Sequence, residues 1–489
     1  MVFSSVIFLF FFLPVSLLLY LFPGRKWRNS FFLVASLFFY AWTEYSYTLV
    51  LILSILGNFV FGMLLNRAFE RERGGLSEAK QKKRLLVCGI CFNLGMLVIF
   101  KYTRFLLGNL SNVWSWFGIP QFEIPSVYAP LGISFFTFHA LSYLIDVYRG
   151  DAPAQKSPTG LAIYMAAFPK VLAGPIVQYG KAVKELGART ITSGAFVLGI
   201  ERFITGLAKK VLIANPLAAV ADAAFRLPAY SLQPLHAWVG ILCFTLQIYF
   251  DFSGYSDMAI GLGKMFGFDF PENFNFPYIS QSVREFWRRW HISLSLWFRD
   301  YLYIPLGGNK CSAGRTRINL VIVFLLCGFW HGASWNFIIW GAWYGLFLVL
   351  ERTALGGIIE SAWRPLRHLY LLFVVMIGWV FFRAETTAYA ITYLKTLFGL
   401  HSGGINAGEF GAMLNVELLC ISVVAVILCF PVSRFLRTVR LGLAGELQPV
   451  SFSKICLYAS YGAWLGILLF ASTLALAGGT HKAFIYFKF

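Results

Sequence analysis

Long apolar stretches recur along this chain, and they limit its folding more than any other feature of the sequence. A helix that crosses the roughly 30 Å hydrocarbon core of a bilayer needs about 20 apolar residues. The stretches that approach this length lie near residues 3–22, 31–47, 49–65, 85–105, 128–147, 160–178, 192–215, 236–262, 318–335, 336–352, 369–383, 415–432 and 456–477. Several are too short or too interrupted to cross alone. We therefore predict an all-α polytopic membrane protein with about eleven crossings plus re-entrant or interfacial helices.

The composition of the chain supports a membrane protein. Only 13% of the 489 residues are charged and 58% are hydrophobic, whereas soluble domains carry about 25% charged residues. No internal repeat and no linker divides the sequence, so we predict one domain over residues 1–489. Walker, serine-hydrolase, HExxH and Rossmann motifs are absent from the sequence, which argues against ATP-driven transport and soluble-type hydrolysis.

The net charge of +19 comes mainly from basic residues in short loops between apolar stretches. Arg25, Lys26 and Arg28 follow the first predicted span, a basic cluster at residues 67–84 follows the third, and the turn after the second carries only Glu44. Because cytoplasmic loops are enriched in Lys and Arg, we predict that the amino terminus lies outside. No nucleic-acid partner is expected. Attraction of anionic lipid headgroups or of a phosphorylated donor is the alternative role of this charge.

The segment from Asp269 to Arg317 differs from its surroundings because it combines prolines, paired glycines and seven basic residues. The basic residues are Arg284, Arg288, Arg289, Arg299, Lys310, Arg315 and Arg317. At 3.6 residues per turn, Arg284 and Arg288 share one helix face while Trp287 lies on another, which is typical of an amphipathic, aromatic-anchored helix. We expect this segment in or under the cytoplasmic interface.

His331 lies in the apolar sequence LLCGFWHGASWNF. Arg315 and Arg317 mark the cytoplasmic end of its span, so a rise of about 1.5 Å per residue carries the imidazole roughly 20 Å into the bilayer core. Gly328 and Gly332 allow a second backbone or a substrate to approach closely. Burial favours a neutral imidazole that accepts a proton, so we predict a general base. A core histidine that hydrogen-bonds two helices is the alternative.

His291 lies in EFWRRWHISLS, where Arg288 and Arg289 are expected to favour the neutral imidazole by like-charge repulsion. If His291 and His331 converge in a polar cavity, they can divide the deprotonation of an alcohol and the orientation of the reacting groups. Taken alone, His291 is equally typical of an interfacial histidine on an amphipathic helix.

Asp251 and Asp257 fall inside an otherwise apolar span, where an unpaired carboxylate is costly. We expect structural pairing with Ser253, Tyr255 or an arginine of the basic segment, and a direct role in chemistry is the alternative. His139 lies in another apolar span, and core packing or hydrogen bonding is its expected role.

Three long motifs make this sequence similar to the membrane-bound O-acyltransferase (MBOAT) superfamily, and specifically to its bacterial alginate O-acetylation branch. They are YFDFSGYSDMAIGLGKMFGFDFPENFNFPYIS at 249–280, REFWRRWHISLSLWFRDYLYIPLGGNK at 284–310 and GFWHGASWNFIIWG at 328–341. Four shorter matches extend the resemblance over nearly the whole chain: MVFSS at the start, AGPI at 173–176, FFRAE at 381–385 and FIYF at 484–487.

The resemblance implies a ring of helices around a thin central region, with a cytoplasmic funnel, an outward cavity and a catalytic core at about residues 125–385. It places the catalytic membrane histidine of the family on His331 and the second signature histidine on His291. The basic segment 284–317 would line the donor side. Tyr344, in WGAWYG, stands where many relatives have a histidine, so a mechanism that needs a third histidine is not expected.

The resemblance further implies acyl transfer across the membrane. Acetyl-CoA, or another cytoplasmic acetyl thioester, would be the co-substrate, with no bound cofactor and no metal. Asn336 or an indole N–H would stabilise the oxyanion. The residues assigned to donor or substrate binding are Arg288, Arg289, Asp251, Asp257, Asn336 and Trp330.

The expected partners are periplasmic acetyltransferase or relay proteins, a polysaccharide acceptor and membrane lipids, with the chain in the bacterial inner membrane. Two alternatives remain from the residues alone. In a transporter or export channel, the intramembrane polar residues would line a path. In an inactive scaffold of a polysaccharide secretion complex, histidine variants would still support acetylation.

Overall fold

The structure is a computed structural model that describes residues 1–22, 24, 27–71, 76–187, 189–404, 408–432, 452–479 and 484. Every regular element in these ranges is helical. The chain forms two compact units, Met1–Gly199 with Ala259–Pro271, and Ile200–Met258 with Glu272–Phe489. The expectation of one domain over the whole chain stays a prediction. Arg25, Lys26, Arg73 and residues 485–487 of the FIYF motif lie outside the described residues.

The first unit contains eight α-helices before the unit boundary. They are α1 (Leu13–Leu21), α2 (Arg28–Thr43), α3 (Thr48–Arg71), α4 (Leu76–Leu97), α5 (Thr103–Trp116), α6 (Ile133–Arg149), α7 (Pro158–Ala166) and α8 (Tyr179–Gly187). One π-helical turn, Phe8–Phe12, precedes α1, and another, Val98–Tyr102, joins α4 to α5. Helix α9 (Ser193–Ala208) crosses the boundary into the second unit.

The core of the first unit is a cluster of phenylalanines around Phe168, which contacts Phe12 and Phe32 at ring-centroid distances of 5.3 and 5.5 Å. Phe168 belongs to the predicted span 160–178, which is not one continuous helix. Helix α7 ends at Ala166, and residues 167–178 continue as largely buried, non-helical chain. Pro169 and Pro175 explain the break, because proline has no N–H to continue a helix.

The second unit carries the remaining helices. They are α10 (Asn215–Arg226), α11 (Pro234–Met265), α12 (Val283–Arg289), α13 (Ile292–Phe298), α14 (Ala313–His331), α15 (Trp335–Leu350), α16 (Ala354–Ser361), α17 (Arg364–Arg383), α18 (Thr387–Leu397), α19 (Gly408–Met413), α20 (Val416–Leu428) and α21 (Phe452–Ala477). Two π-helical turns follow α9 and α13, at Lys209–Ala214 and Arg299–Tyr303. Two short 3-10 turns lie at Ala229–Ser231 and Pro277–Ile279.

Seven helical segments among the described residues are long and apolar enough to cross a membrane. They are Thr48–Ala68, Glu78–Trp116, Ser193–Arg226, Pro234–Met265, Ala313–His331, Arg364–Arg383 and Tyr458–Ala477. Helices α15 and α16, bent by 80° at their junction, make an eighth if the pair is one span. The all-helical, multi-pass fold is confirmed. The count is lower than the expected eleven because several predicted spans form shorter helices, such as α2 with 16 residues and α6 with 17.

Candidate active site

Helices α14 and α15 form a tight antiparallel hairpin with His331 at its turn. Glycines bring the two backbones into contact. A Cβ atom on Gly328 would collide with the carbonyl oxygen of Phe337, and one on Gly341 with that of Phe324. Because neither helix can shift away from the other without losing this contact, the position of His331 is fixed by the backbone of both.

His331 is enclosed by aromatic rings and is 5% exposed. Its imidazole lies 4.8 Å from the ring of Trp330, 4.9 Å from Trp340 and 5.3 Å from Phe382 between centroids. The helix rise from Arg317 to His331 amounts to about 21 Å along α14. The depth of His331 in the bilayer stays a prediction. Such a site excludes bulk water, and this strengthens electrostatic interactions and protects a reactive acyl group from hydrolysis.

His291 lies at a break between α12 and α13, where the sequence suggested one amphipathic helix. Its backbone is left-handed, with φ 43° and ψ 54°. Hydrogen bonds to a neighbouring loop fix the break: the N–H of Asn275 donates to the carbonyl of Arg289 at 3.0 Å, and the N–H of Ile292 donates to that of Asn273 at 3.0 Å. A left-handed conformation costs a residue with a Cβ about 1–2 kcal/mol, so this loop holds the imidazole in a strained position.

The two histidines lie in one aromatic cluster. The centroid of Trp330 is 6.4 Å from His291 and 4.8 Å from His331, so this indole bridges them. His291 is fully buried, and its ring also packs edge-on against Phe252 at 4.6 Å. Burial lowers the pKa of His291 to about 3. The cause expected from the sequence was different, namely like-charge repulsion from Arg288 and Arg289. The surroundings are thus aromatic, where the sequence suggested a polar cavity.

A cavity of about 630 Å³ opens at the opposite end of the α14–α15 hairpin. Four arginines line it: Arg284 and Arg288 from α12, Arg317 from the second turn of α14, and Arg352 after α15. Asn309, Cys311 and Thr316 contribute polar groups to the same wall. Four guanidinium groups around one opening favour an anionic ligand, above all a phosphate that accepts paired hydrogen bonds. We call this cavity the arginine pocket.

Glu351 connects the end of α15 to the start of α12, the helix that carries Arg284 and Arg288 of the arginine pocket. Its buried carboxylate accepts hydrogen bonds from the N–H groups of Val283 at 2.5 Å and Arg284 at 3.0 Å, which are the first residues of α12. An acidic group at this position satisfies N–H groups that have no partner within the helix. Arg284 also donates through its side chain to the carbonyl of Glu351 at 3.0 Å. Glu351 and Arg352 were not predicted as site residues, and the predicted span 336–352 included both, whereas α15 ends at Leu350.

Arg288 and Arg289, predicted together as donor-binding residues, differ in position. Arg288 lines the arginine pocket. Arg289 instead pairs with Glu285 at 2.9 Å and donates to the carbonyl of Asn275 at 3.1 Å. The difference follows from the helix period, since adjacent residues of α12 lie about 100° apart around its axis. The contacts of Arg289 are structural and lie outside the lining of the arginine pocket, and its role in donor binding stays a prediction.

Asp251 and Asp257 are paired with basic residues that the sequence analysis did not propose. Asp251 pairs with Lys210 at 2.8 Å, and Asp257 pairs with Lys209 at 2.7 Å and with Arg202 at 2.6 Å. These cations lie on α9 and its π-helical extension, and none belongs to the basic segment 269–317. These ion pairs support a structural role for Asp251 and Asp257, because each carboxylate is neutralised by a cation of the protein itself.

Asn336, expected as an oxyanion donor, is engaged in a backbone junction. Its side-chain N–H donates to the carbonyl of Ala384 at 2.7 Å, and its side-chain oxygen accepts from Thr387 at 2.6 Å. The amide thus joins α15 to the start of α18. The role of Asn336 as an oxyanion donor stays a prediction, and only the second N–H of its amide is left for it.

An aromatic layer connects α12 to His331. Trp287, next to Arg288 in sequence, lies 5.6 Å from Trp340, which lies 4.9 Å from His331. Tyr344 packs edge-on against both tryptophans, at 5.0 and 5.2 Å. Tyr344, expected from the resemblance to replace a third histidine, is therefore part of this aromatic layer. Trp330, predicted to bind substrate, lies at the same level as His331.

Comparison with known proteins identifies the family. A family model described as "MBOAT, membrane-bound O-acyltransferase family" matches residues 96–388. The chain belongs to the MBOAT family. Its relatives include "Probable alginate O-acetylase AlgI" from Pseudomonas aeruginosa, which is 46% identical over 398 residues covering 81% of this chain and 75% of the relative. The protein of the same description from Pseudomonas putida is 40% identical over 494 residues, covering all of both chains.

A more distant MBOAT relative is "Peptidoglycan O-acetyltransferase" from Helicobacter pylori, 32% identical over 548 residues that cover all of this chain and 98% of the relative. Membership of the MBOAT superfamily, in the branch that contains AlgI, is thereby confirmed. The protein is a multi-pass membrane enzyme of the O-acyltransferase class. The roles of His331 and His291 within this MBOAT enzyme stay predictions.

Proposed function

We propose that this MBOAT protein is an O-acetyltransferase of the bacterial inner membrane. It takes an acetyl group from a cytoplasmic thioester and delivers it across the membrane to an acceptor hydroxyl in the periplasm. The acetyl group finally resides on an exopolysaccharide of the alginate type. The names of relatives that are 40 and 46% identical support the acetyl group and the polymer. The single observation that carries the proposal is His331, enclosed by rings at the turn of a membrane hairpin.

His331 acts as the general base of this reaction. Its neutral imidazole takes the proton of the acceptor hydroxyl, and the resulting oxygen nucleophile adds to the thioester carbonyl. The tetrahedral intermediate then breaks its C–S bond, and the leaving thiolate takes the proton back from the imidazolium. Such proton transfer contributes about 10² to 10⁴ in rate. His291, joined to His331 through Trp330, is the positioning residue for the reacting groups.

The arginine pocket binds the anionic part of the donor. It lies about 21 Å from His331 along α14, measured from Arg317 by the helix rise. A donor that occupies both places must carry its phosphates and its acyl carbon at opposite ends of a long arm. Acetyl-CoA has this form, whereas acetyl phosphate does not. The arm would pass the aromatic layer at Trp287 and Trp340, which lie between the arginine-bearing helix and His331.

Replacement of His331 by alanine tests the chemistry. We expect the purified His331→Ala protein to keep its monodisperse elution in detergent and to lose acceptor-dependent release of CoA from acetyl-CoA by at least about 10²-fold. His401→Ala is the control, since that imidazole contacts the carbonyl of Ala229 at 2.9 Å and lies outside the site. Retained activity in His331→Ala would remove this residue from the mechanism.

Adjacent arginines provide a matched test of the donor site. Arg288→Gln removes one guanidinium from the arginine pocket, and Arg289→Gln removes one from the pair with Glu285. A hydrogen bond to a charged group contributes about 1.5–3 kcal/mol, so Arg288→Gln should raise the KM for acetyl-CoA roughly 10- to 100-fold. Arg289→Gln should leave that KM within about threefold. Equal effects of the two variants would refute the assignment of the pocket.

The polymer is identified in cells. Mass analysis of the exopolysaccharide is expected to show acetylated uronate residues with the intact gene and none with His331→Ala. Complete acetylation in the His331→Ala strain would support a scaffold, and loss of polymer export without loss of acetyl transfer in membranes would support a transporter. Acetylation of the cell wall glycan alone would point to the acceptor class of the Helicobacter pylori relative.

A further inference from the structure

Trp340 carries a buried polar group, its indole N–H. The side chain is 1% exposed, and its indole N–H has no acceptor within the part of the chain that the structure describes. The large majority of buried side-chain polar groups in proteins are paired, although the indole N–H of Trp287 also has no acceptor among the described residues. Trp343, three residues further along α15, follows this rule, since its N–H donates to the carbonyl of Val374 at 2.9 Å. The unpaired N–H of Trp340 therefore calls for an explanation.

The position of Trp340 suggests one. Its ring packs edge-on against His331, with 4.9 Å between centroids and 78° between the ring planes. The next residue, Gly341, presses against the backbone of α14, so Trp340 is held on a rigid element. The indole of Trp340 is held next to the proposed general base by a helix that packs closely on its neighbour. It therefore lies close to where negative charge would develop in the reaction.

We propose that the indole N–H of Trp340 is the hydrogen-bond donor that stabilises the oxyanion of the acyl-transfer reaction. This inference rests on the proposed function. When the acceptor oxygen bonds to the thioester carbon, the electron pair of the C=O bond moves onto the carbonyl oxygen, and the Trp340 N–H donates to that oxygen. When the C–S bond breaks, the electron pair returns and the N–H loses its partner again. No additional reactant is needed.

The sequence left two kinds of oxyanion donor open, Asn336 and an unspecified indole N–H, and this assignment names the indole. Asn336 already donates to the carbonyl of Ala384, and its oxygen already accepts from Thr387. These two bonds fix the orientation of the Asn336 amide and leave only its second N–H to donate elsewhere. Trp340 gives up nothing, because its N–H has no acceptor among the described residues. An interaction that forms only in the transition state accelerates the reaction without tightening substrate binding.

The test removes the N–H and keeps an aromatic ring at position 340. Trp340→Phe is expected to lower kcat for acetyl transfer about 10²-fold, the lower end of the range for loss of an oxyanion donor. The KM for acetyl-CoA should stay close to that of the wild type, whereas the cavity left by the smaller ring should lower the thermal midpoint in detergent. Trp343→Phe is the matched control. It removes an N–H that has an acceptor, so it should lower the thermal midpoint and leave kcat within about twofold.

A second variant covers poor folding of Trp340→Phe. Benzothienylalanine at position 340 has the shape of tryptophan and sulfur in place of the N–H, so the packing against His331 is kept. The same fall in kcat in this variant supports the proposal. A kcat within about twofold of the wild type, or a fall matched by Trp343→Phe, overturns it. Normal kcat in the Trp340 variants together with an inactive His331→Ala refutes only this inference, whereas activity in His331→Ala refutes the proposed function itself.

Discussion

Replacement of Lys210 by methionine is expected to destabilise the protein strongly. The Nζ atom of Lys210 lies 2.8 Å from the Oδ1 atom of Asp251, and the two side chains are 4 and 2% exposed. At an effective dielectric constant of about 20, their attraction amounts to roughly 6 kcal/mol before the cost of desolvating both charges is subtracted. Removal of one partner from a buried pair costs about 3–5 kcal/mol, because the other charge stays buried and uncompensated.

A double-mutant cycle isolates the pair. Lys210→Met and Asp251→Leu should each lower the free energy of unfolding by about 3–5 kcal/mol, and the double variant should lie within about 2 kcal/mol of the wild type. Unfolding in mixed micelles with a denaturing detergent measures these differences. Lys264→Met is the control, since its pair with Asp269 is 30 and 79% exposed and should contribute less than about 1 kcal/mol.

The same variants show whether the carboxylate of Asp251 has a structural role or binds substrate. If the carboxylate serves only to balance Lys210, the folded double variant should transfer acetyl groups at a rate near that of the wild type. Additive losses in the three variants, with no coupling above about 1 kcal/mol, would refute the argument from burial. A stable but inactive double variant would return Asp251 to the substrate-binding residues.

Three further outcomes follow from the site. Burial lowers the pKa of His291 from 6.5 to about 3, so the unfolded chain binds a proton first as the pH falls. Stability from this residue is complete above pH 6.5 and declines below it, by about 2 kcal/mol at pH 5, and His291→Gln should remove that part of the slope in pH-dependent unfolding. Gly341→Val should reduce the yield of folded protein through a clash worth more than about 2 kcal/mol, whereas Gly357→Val, where a Cβ meets open space, should not. Asn336→Ala leaves the carbonyl of Ala384 unsatisfied and should cost about 1–3 kcal/mol in the same detergent unfolding assay.

The sequence predicted the parts of the fold that depend on local pattern. Apolar stretches gave the helical, multi-pass class and a helix that contains His331, although this helix ends at His331 and the predicted span continued to residue 335. The local sequence pattern did not predict the features that depend on contacts between residues far apart in the sequence. The break at His291 depends on the loop around Asn273, and the partner of Asp251 lies 41 residues earlier at Lys210, on a π-helical turn that no periodicity reveals.

The arginine pocket was predicted only in part for a similar reason. Arg284, Arg288 and Arg317 belong to the basic segment, whereas Arg352 reaches the pocket because α15 returns to the end at which α14 begins. Trp340 was likewise indistinguishable in sequence from Trp343. Only the contacts of their N–H groups separate the two.

The left-handed backbone of His291 has a consequence for protein engineering. With φ at 43°, glycine or asparagine would occupy position 291 more comfortably than any residue with a bulky side chain. Directed evolution for heat resistance alone should thus accept such replacements there and discard the imidazole. Selection for thermostable variants of this enzyme therefore needs an activity screen at every round. A replacement at position 291 that stabilises the fold would remove an imidazole that supports turnover.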